Sequence, residues 1–147
     1  MNADMLQQLQ QTELQRQGHF KDRLLCCTAA GCLSGGAREV REALTAAKPE
    51  DVEVCGTGCL GWCSRGPLVK STARDCVYTN VAPSDADSIL KGELEGRVVT
   101  PEHPFYAGQH RLILSNSGKC DPERIQDYIA QGGYRGLLRA VTDMTPS

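Results

Sequence analysis

Four cysteines stand in two closely spaced pairs: four residues separate Cys27 from Cys32, and three separate Cys59 from Cys63. Four thiolates that arrive from two loops are the ligand set of a [2Fe–2S] cluster, with one pair of sulfurs for each iron. Three or four intervening residues allow one loop to supply both sulfurs of a pair while its backbone amides point at the cluster. The spacing therefore indicates a one-electron relay rather than a hydrolase or a binding scaffold.

Zinc binding and free thiols are the alternatives to a cluster. Structural zinc sites favour cysteines separated by two residues, and the sequence contains no such pair. The same absence argues against a thioredoxin-type dithiol active site. Plant-type ferredoxins carry C-x4-C-x2-C with a distant fourth cysteine, and the second half of that pattern is missing here. Zinc and scattered free thiols stay open as the alternatives.

The remaining cysteines are predicted to be structural; they are Cys26, Cys55, Cys76 and Cys120. Cys26 is adjacent to Cys27, so its side chain should point to the opposite side of a strand. Cys55 precedes Cys59 by four residues, which leaves the second pair formally ambiguous. Glycines crowd around Cys59 and Cys63 and favour those two, because they let backbone amides approach sulfur. Cys55 is then a buried small hydrophobic residue, although Cys55 or Cys26 could substitute as a ligand.

Composition limits the class of protein. The chain has 147 residues, 40% of them hydrophobic, and a mean hydropathy of −0.35, which suits one compact domain with an appended segment. No stretch approaches the roughly 20 apolar residues that cross a bilayer. The formal charge of −2 argues against nucleic acid or an anionic membrane as partner. Residues 1–17 lack the pattern of a secretory signal, so we expect a cytoplasmic protein, in which clustered cysteines bind metal or do redox chemistry.

The elements that position the two pairs form a predicted β-α-β unit. Residues 23–26 form a short strand that runs into the first pair, residues 37–47 form a helix, and residues 52–54 begin a second strand. A crossover of this kind makes the two strands parallel. Both cysteine loops should therefore leave the sheet at the same edge.

A hairpin and a last helix complete the predicted domain. Residues 68–70 and 76–79 form the hairpin, and residues 83–91 form the helix, with glycines at 92 and 96 after it. This order predicts an α/β fold of thioredoxin-like type. An amphipathic helix over residues 2–17 precedes it, with an apolar side made of Met5, Leu6, Leu9 and Leu14. That helix is either a solvated surface helix or a docking arm.

A different segment follows a proline-rich linker at residues 100–104. Residues 111–114 could form a strand, and Asp121 with Pro122 resembles a helix start. Residues 134–141 form another helix after two glycines. The segment contains few large apolar side chains, so we expect it to be the opening of a larger module. The predicted domains are 1–18, the N-terminal helix; 19–99, the thioredoxin-like [2Fe–2S] domain; and 100–147, a short incomplete α+β extension.

Two further patterns carry weaker signals. Residues 56–61 spell G-x-G-x-x-G, but a dinucleotide site needs a helix to begin there, and residues 62–67 (WCSRGP) cannot sustain one. Trp62 and Arg65 lie within the second cysteine loop. They either pack and interact with solvent, or shield the cluster and raise its potential. The histidines are scattered and show no ligand spacing: His19, His103 and His110.

The two cysteine loops, residues 25–34 (LCCTAAGCLS) and 54–69 (VCGTGCLGWCSRGPLV), resemble the thioredoxin-like [2Fe–2S] domain of NADH-oxidising complexes. They are most similar to the diaphorase flavoprotein subunit of bidirectional NAD-reducing [NiFe] hydrogenases and to related NADH dehydrogenase subunits. The resemblance spans residues 21–146 and includes 104–106 (PFY), 116–125 (NSGKCDPERI) and 127–134 (DYIAQGGY). The last of these segments, residues 127–134, resembles the first residues of a flavin module.

The resemblance implies that Cys27, Cys32, Cys59 and Cys63 hold a [2Fe–2S] cluster within a diaphorase. FMN, NAD and a [4Fe–4S] cluster are expected only in a missing remainder or in partner subunits, so the chain contains no complete active site. The implied partners are other diaphorase and hydrogenase, or NADH dehydrogenase, subunits. A non-catalytic assembly module with a structural metal is the second interpretation, and a free-standing shuttle ferredoxin is the third.

Overall fold

A mixed sheet of five strands forms the centre of the computed structural model, which describes residues 2–145. The strands are β1 (Asp22–Cys27), β2 (Val52–Thr57), β3 (Val69–Ser71), β4 (Cys76–Tyr78) and β5 (Val98–Val99). They lie in the order β2-β1-β3-β4-β5, with β1 and β2 parallel and all other neighbours antiparallel. The predicted β-α-β unit and hairpin are confirmed, whereas the edge strand β5 was not predicted.

Helices lie before, between and after the strands. Within residues 2–145 they are α1 (Ala3–Gly18), α2 (Ala30–Ser34), α3 (Ala37–Ala47), α4 (Ala86–Lys91), α5 (Pro104–Ala107), α6 (Ile125–Ala130) and α7 (Arg135–Thr142). Asn2 caps α1 by accepting a hydrogen bond of 2.9 Å from the amide of Met5. No helix of the described part is long and apolar enough to span a membrane. The predicted α/β fold with an N-terminal helix is therefore confirmed.

The first face of the sheet carries the hydrophobic core, and α3 and α4 cover it. The core side chains include Leu24, Cys26, Val40, Leu44, Val52, Val69, Tyr78 and Ile89. Because successive residues of a strand point to opposite faces, Cys26 lies in this core and Cys27 packs in a separate cluster. The predicted orientation of Cys26 is confirmed.

The second face of the sheet is polar and lies under α1 and α6. Six charged side chains meet there, and we call them the charge network: Glu13, Arg16, Arg23, Glu53, Arg124 and Asp127. Asp127 is fully buried and accepts a hydrogen bond of 2.7 Å from the Arg23 guanidinium, which also pairs with Glu53. Arg16 contacts Glu13 and Glu53, each at 2.7 Å. Three cations and three anions therefore join the N-terminal helix, both parallel strands and the C-terminal segment.

In helix α1, the buried residues are not the ones that the spacing of its apolar side chains marks. Of the four predicted apolar positions only Leu6 is buried, and Glu13 is the other buried residue of the helix. The helix packs on α6 and contributes charges to the network rather than an apolar stripe. The predicted N-terminal helix is confirmed, and Met5, Leu9 and Leu14 on its apolar side are about half exposed.

The predicted strand at residues 111–114 is also wrong. Leu112 and Ile113 are 86% and 97% exposed, and short-range backbone bonds fold the chain into successive turns, as in the bond of 3.0 Å from the Ser117 amide to the Leu114 carbonyl. None of the five described strands pairs with this run, so its β-forming side chains join no ladder. Strand propensity without a partner does not make a strand.

The predicted helix start, with Asp121 as its N-cap, lies three residues too early. Helix α6 begins at Ile125 with Arg124 as its N-cap, and the Asp121 carboxylate binds other amides instead. It accepts hydrogen bonds from the amides of Gly56 at 3.0 Å and Glu123 at 2.9 Å. Asp121 therefore ties the C-terminal segment to β2. The predicted division into residues 1–18, 19–99 and 100–147 stays a prediction, and residues 1, 146 and 147 lie outside the described residues.

Candidate metal centre

The two cysteine loops leave the same edge of the sheet. Cys27 is the last residue of β1 and lies in register with Thr57, the last residue of β2. The amide of Thr28 donates a hydrogen bond of 2.9 Å to the Thr57 carbonyl, which holds the two strand ends together. Cys32 lies on α2, while Cys59 and Cys63 lie between β2 and β3. The structure thus brings all four predicted ligands to one edge.

The first pair, Cys27 and Cys32, is fully buried. The amide of Cys27 donates a hydrogen bond of 3.0 Å to the Leu68 carbonyl. Burial and the Cys27 thiol raise the pKa of Cys32 to about 12. A bound metal ion would be required to hold this sulfur as a thiolate at neutral pH.

The second pair, Cys59 and Cys63, lies at the surface with its sulfurs 3.8 Å apart. A tetrahedral metal ion with metal–sulfur bonds of about 2.3 Å holds two ligand sulfurs about 3.8 Å apart. The Gly61 amide donates to the Cys59 sulfur at 3.3 Å, as expected where backbone dipoles face a thiolate. Its φ of +93° explains why glycine stands there, since side chains rarely adopt that conformation. The hydrogen bond with Cys59 raises the pKa of Cys63.

Glycines allow the two pairs to approach each other. A Cβ added at Gly31 would lie 3.2 Å from the Cβ of Cys63, and one added at Gly66 would lie 2.9 Å from the sulfur of Cys32. Each glycine belongs to one loop and contacts a cysteine of the other pair. The Cys63 thiol also acts on the pKa of Cys32, after the larger effects of burial and Cys27. The two pairs therefore face each other across a narrow gap lined by backbone.

The four sulfurs form two pairs rather than one tetrahedron. Within residues 2–145, no three His, Cys, Asp or Glu side chains are grouped to hold a single metal ion. A mononuclear zinc site needs four such ligands around one point, whereas a binuclear cluster needs two ligands at each metal. The chemistry of the donors, the sulfur separation and the glycine-lined gap all fit a [2Fe–2S] cluster.

The other four cysteines lie away from the two pairs and are buried. Cys55 points to the second face, where its sulfur lies 3.8 Å from the Arg23 guanidinium. Burial raises the pKa of Cys55 to about 12. Cys120 is close to Asp127 on the same face, while Cys26 and Cys76 belong to the hydrophobic core. Cys55 therefore points away from Cys59, whereas the Cys63 sulfur lies next to it, which favours Cys59 and Cys63 as the second pair. The assignment of the four ligands stays a prediction.

An aromatic group covers the site on its outer side; it consists of Trp62, His103, Phe105 and Tyr106. Trp62 stacks on Phe105 with ring centroids 4.2 Å apart. The Arg65 guanidinium lies 5.4 Å from the centre of the Trp62 ring. The sequence singled out Trp62 and Arg65 but did not predict α5. This helix and its N-cap His103 supply the other rings, more than forty residues after Trp62 in the chain. In the sequence, only residues 104–106 (PFY), which belong to the family resemblance, pointed to this segment.

Tyr106 has one feature that the sequence did not indicate. Its ring packs against the buried cluster that contains Cys27, Cys32, Leu60 and Leu68. Burial raises the pKa of its hydroxyl. Within the described residues, that hydroxyl is the single buried side-chain nitrogen or oxygen with no hydrogen-bond partner.

Comparison with known proteins gives a partial likeness. No family model matches the chain. A thioredoxin-like [2Fe–2S] ferredoxin from Aquifex aeolicus is 26% identical and aligns with 56% of this chain and 98% of its own, with a TM-score of 0.47. A second structure of a thioredoxin-like [2Fe–2S] ferredoxin from the same organism is 26% identical and covers 53% of this chain and 83% of its own, with a TM-score of 0.43. Both alignments cover little more than half of this chain.

Proposed function

We propose that this chain binds a [2Fe–2S] cluster and serves as a one-electron relay. Cys27 and Cys32 would hold the buried iron, and Cys59 and Cys63 the iron nearer the surface. The observation that carries the proposal is the second pair, whose sulfurs are 3.8 Å apart and face the buried first pair across a gap lined by Gly31 and Gly66.

The chain's own residues supply the conditions that such a relay needs. A [2Fe–2S] cluster accepts and returns one electron when bound. The buried first pair keeps water from one side of the site, while the exposed Cys63 brings the other side to the surface. The amide of Gly61 points at the Cys59 sulfur and favours negative charge there. Rigid ligation by two loops tied to strand ends limits the rearrangement that accompanies each transfer.

We also propose a context for the relay, namely an NADH-oxidising diaphorase of an NAD-reducing hydrogenase or a related NADH dehydrogenase. The support is the resemblance of residues 104–106, 116–125 and 127–134 to this family, in which residues 127–134 resemble the start of a flavin module. FMN, NAD and a [4Fe–4S] cluster would then belong to a remainder of the protein or to partner subunits in the cytoplasm. In that assembly the relay would exchange single electrons with the flavin.

A non-catalytic assembly module is the second candidate function. The C-terminal segment exposes large apolar side chains that a partner subunit could cover: Leu112, Ile113, Ile125, Leu137, Val141 and Met144. In this case the metal would be structural. Reversible reduction of the bound metal separates the two candidates.

Anaerobic purification followed by metal analysis and EPR tests the proposal. We expect about two irons and two acid-labile sulfides per chain, with a rhombic EPR signal that appears only on reduction by dithionite. Serine variants of Cys27, Cys32, Cys59 and Cys63 should each lose or alter this signal. Cys55→Ser is the matched control and should keep it. Zinc without sulfide, or loss of the signal in Cys55→Ser alone, would refute the assignment.

A further inference from the structure

The hydroxyl of Tyr106 is buried without a partner in a protein whose other buried side-chain polar atoms are satisfied, within residues 2–145. Burying a hydroxyl that makes no hydrogen bond is unfavourable, because it loses its bonds to water and gains none. Native proteins place such a group where a water, an ion or a ligand completes it. The Tyr106 ring packs beside Cys27 and Cys32, so a partner for its hydroxyl is sought among the groups that these cysteines would bind.

Aromatic and cationic contacts fix the Tyr106 ring. It packs edge-on against Phe105 with centroids 5.1 Å apart and against Trp62 at 6.0 Å. The Arg111 guanidinium lies 5.3 Å from the ring centre and donates a hydrogen bond of 2.7 Å to the Leu60 carbonyl. The ring is thus held between α5 and the second cysteine loop, and its hydroxyl has little freedom to turn toward solvent.

The Tyr106 side chain lies beside the predicted cluster site. Arg111 contacts its ring, and the pKa of its hydroxyl is raised by burial and, to a smaller extent, by the thiols of Cys27, Cys32 and Cys59, three of the four predicted ligands. Its ring packs on the same buried cluster as Cys27 and Cys32. A phenol is both a donor and an acceptor, whereas sulfides and metal-bound thiolates can only accept. A cluster in the gap would therefore offer this hydroxyl the acceptor that the protein does not supply.

We propose that Tyr106 donates a hydrogen bond to a sulfur of the bound cluster and thereby raises its reduction potential. This inference depends on the proposed function, since it requires the cluster. Reduction adds negative charge, so a donor aimed at sulfur stabilises the reduced state more than the oxidised state. Tyr106 is then a positioning and tuning residue rather than a ligand, and α5 is part of the redox centre.

Replacing Tyr106 by phenylalanine removes the donor and keeps every ring contact. At a fixed applied potential near the midpoint, we expect the ratio of reduced to oxidised protein to fall about tenfold, which for a one-electron couple is a midpoint lower by about 59 mV. Tyr128→Phe is the matched control, because Tyr128 is about half exposed and its ring contacts Tyr134 instead. Its midpoint should equal that of the wild type.

Two further measurements separate tuning from a purely structural effect. Pulsed EPR of the reduced protein in H2O and D2O should show an exchangeable proton coupled to the cluster that is absent from Tyr106→Phe. Selective incorporation of 3-fluorotyrosine at position 106 makes the hydroxyl a stronger donor and should raise the midpoint. That variant keeps the hydroxyl and tests the inference even if Tyr106→Phe does not load a cluster.

The outcomes distinguish this inference from the proposed function. A wild-type protein without iron and sulfide would refute both. A wild-type protein with a normal cluster, but with equal midpoints and the same exchangeable proton in Tyr106→Phe, would refute the role of Tyr106 alone. Equal shifts in Tyr106→Phe and Tyr128→Phe would likewise overturn it, because the ring of Tyr128 packs on Tyr134 and not on the two cysteine pairs.

Discussion

Gly66 offers a steric test of how closely the two cysteine loops must approach. An alanine Cβ at this position would lie 2.9 Å from the Cys32 sulfur and 3.2 Å from the Cys63 carbonyl oxygen. The backbone itself accepts alanine, since φ is −70° and ψ is 161°. Cys32 is fully buried, so its sulfur cannot move without displacing the core. Overpacking of this kind costs about 1–3 kcal/mol.

We therefore expect Gly66→Ala to widen the gap between the pairs and to lower both stability and cluster content. For a chain of this size, each kcal/mol corresponds to a decrease of Tm of about 2–4 °C. Iron and sulfide per chain report occupancy, and circular dichroism reports thermal unfolding. Gly136→Ala is the control, because nothing lies within 4 Å of a Cβ there and alanine is the better helix former by about 0.5–1 kcal/mol. Wild-type cluster content and an unchanged Tm in Gly66→Ala would refute the reasoning.

Three further changes test the supporting structure. Asp127→Asn removes one negative charge from the network and leaves the buried Arg23 with too little negative charge around it. We expect the free energy of unfolding, measured in urea, to fall by about 3 kcal/mol. The exposed control Asp75→Asn should lower it by less than about 0.5 kcal/mol. For Glu13, burial opposes ionisation, but the hydrogen bonds from Arg16 outweigh burial and lower the pKa of the carboxyl to about 2. The ionised Glu13 therefore stabilises the fold above about pH 4.5, and this stabilisation is lost as the pH falls toward 2. Glu13→Gln should flatten the stability profile in that window by up to about 1.4 kcal/mol per pH unit, and an unchanged slope would contradict the assignment. Ile89→Ala should cost about 2–5 kcal/mol by the same urea assay, because the side chain is fully buried in the core.

The sequence predicted the elements whose side chains alternate or repeat with a clear period. Strands β1 and β2 and helix α3 were found in this way, and their order implied parallel strands and converging loops. Because parallel strands end at a common edge, the spacing of the cysteines was enough to predict that all four would meet.

The second face could not be predicted, because its interior is polar. Arg23 and Glu53 look like solvent-facing positions of half-buried strands, and the helix that covers them contributes Glu13 rather than leucine. Burial that depends on ion pairs between distant segments leaves no hydrophobic period. The role of Tyr106 was hidden for a similar reason, since contact with the cysteines arises only when α5 folds back over the loop.

The charge network has a consequence for how the chain opens. Glu53 on the edge strand β2 pairs with Arg16 of the N-terminal helix and with Arg124, the N-cap of α6. Arg23 on β1 pairs with Glu53 and with Asp127 of α6. Releasing either terminal segment alone would leave buried charges of the other unpaired, so the two segments, far apart along the chain, form one cooperative unit. Their amide protons should exchange with solvent through a shared opening event, while the exposed turns at residues 111–115 exchange freely. The N-terminal helix and α6 thus unfold together, as one cooperative unit on the second face of the sheet.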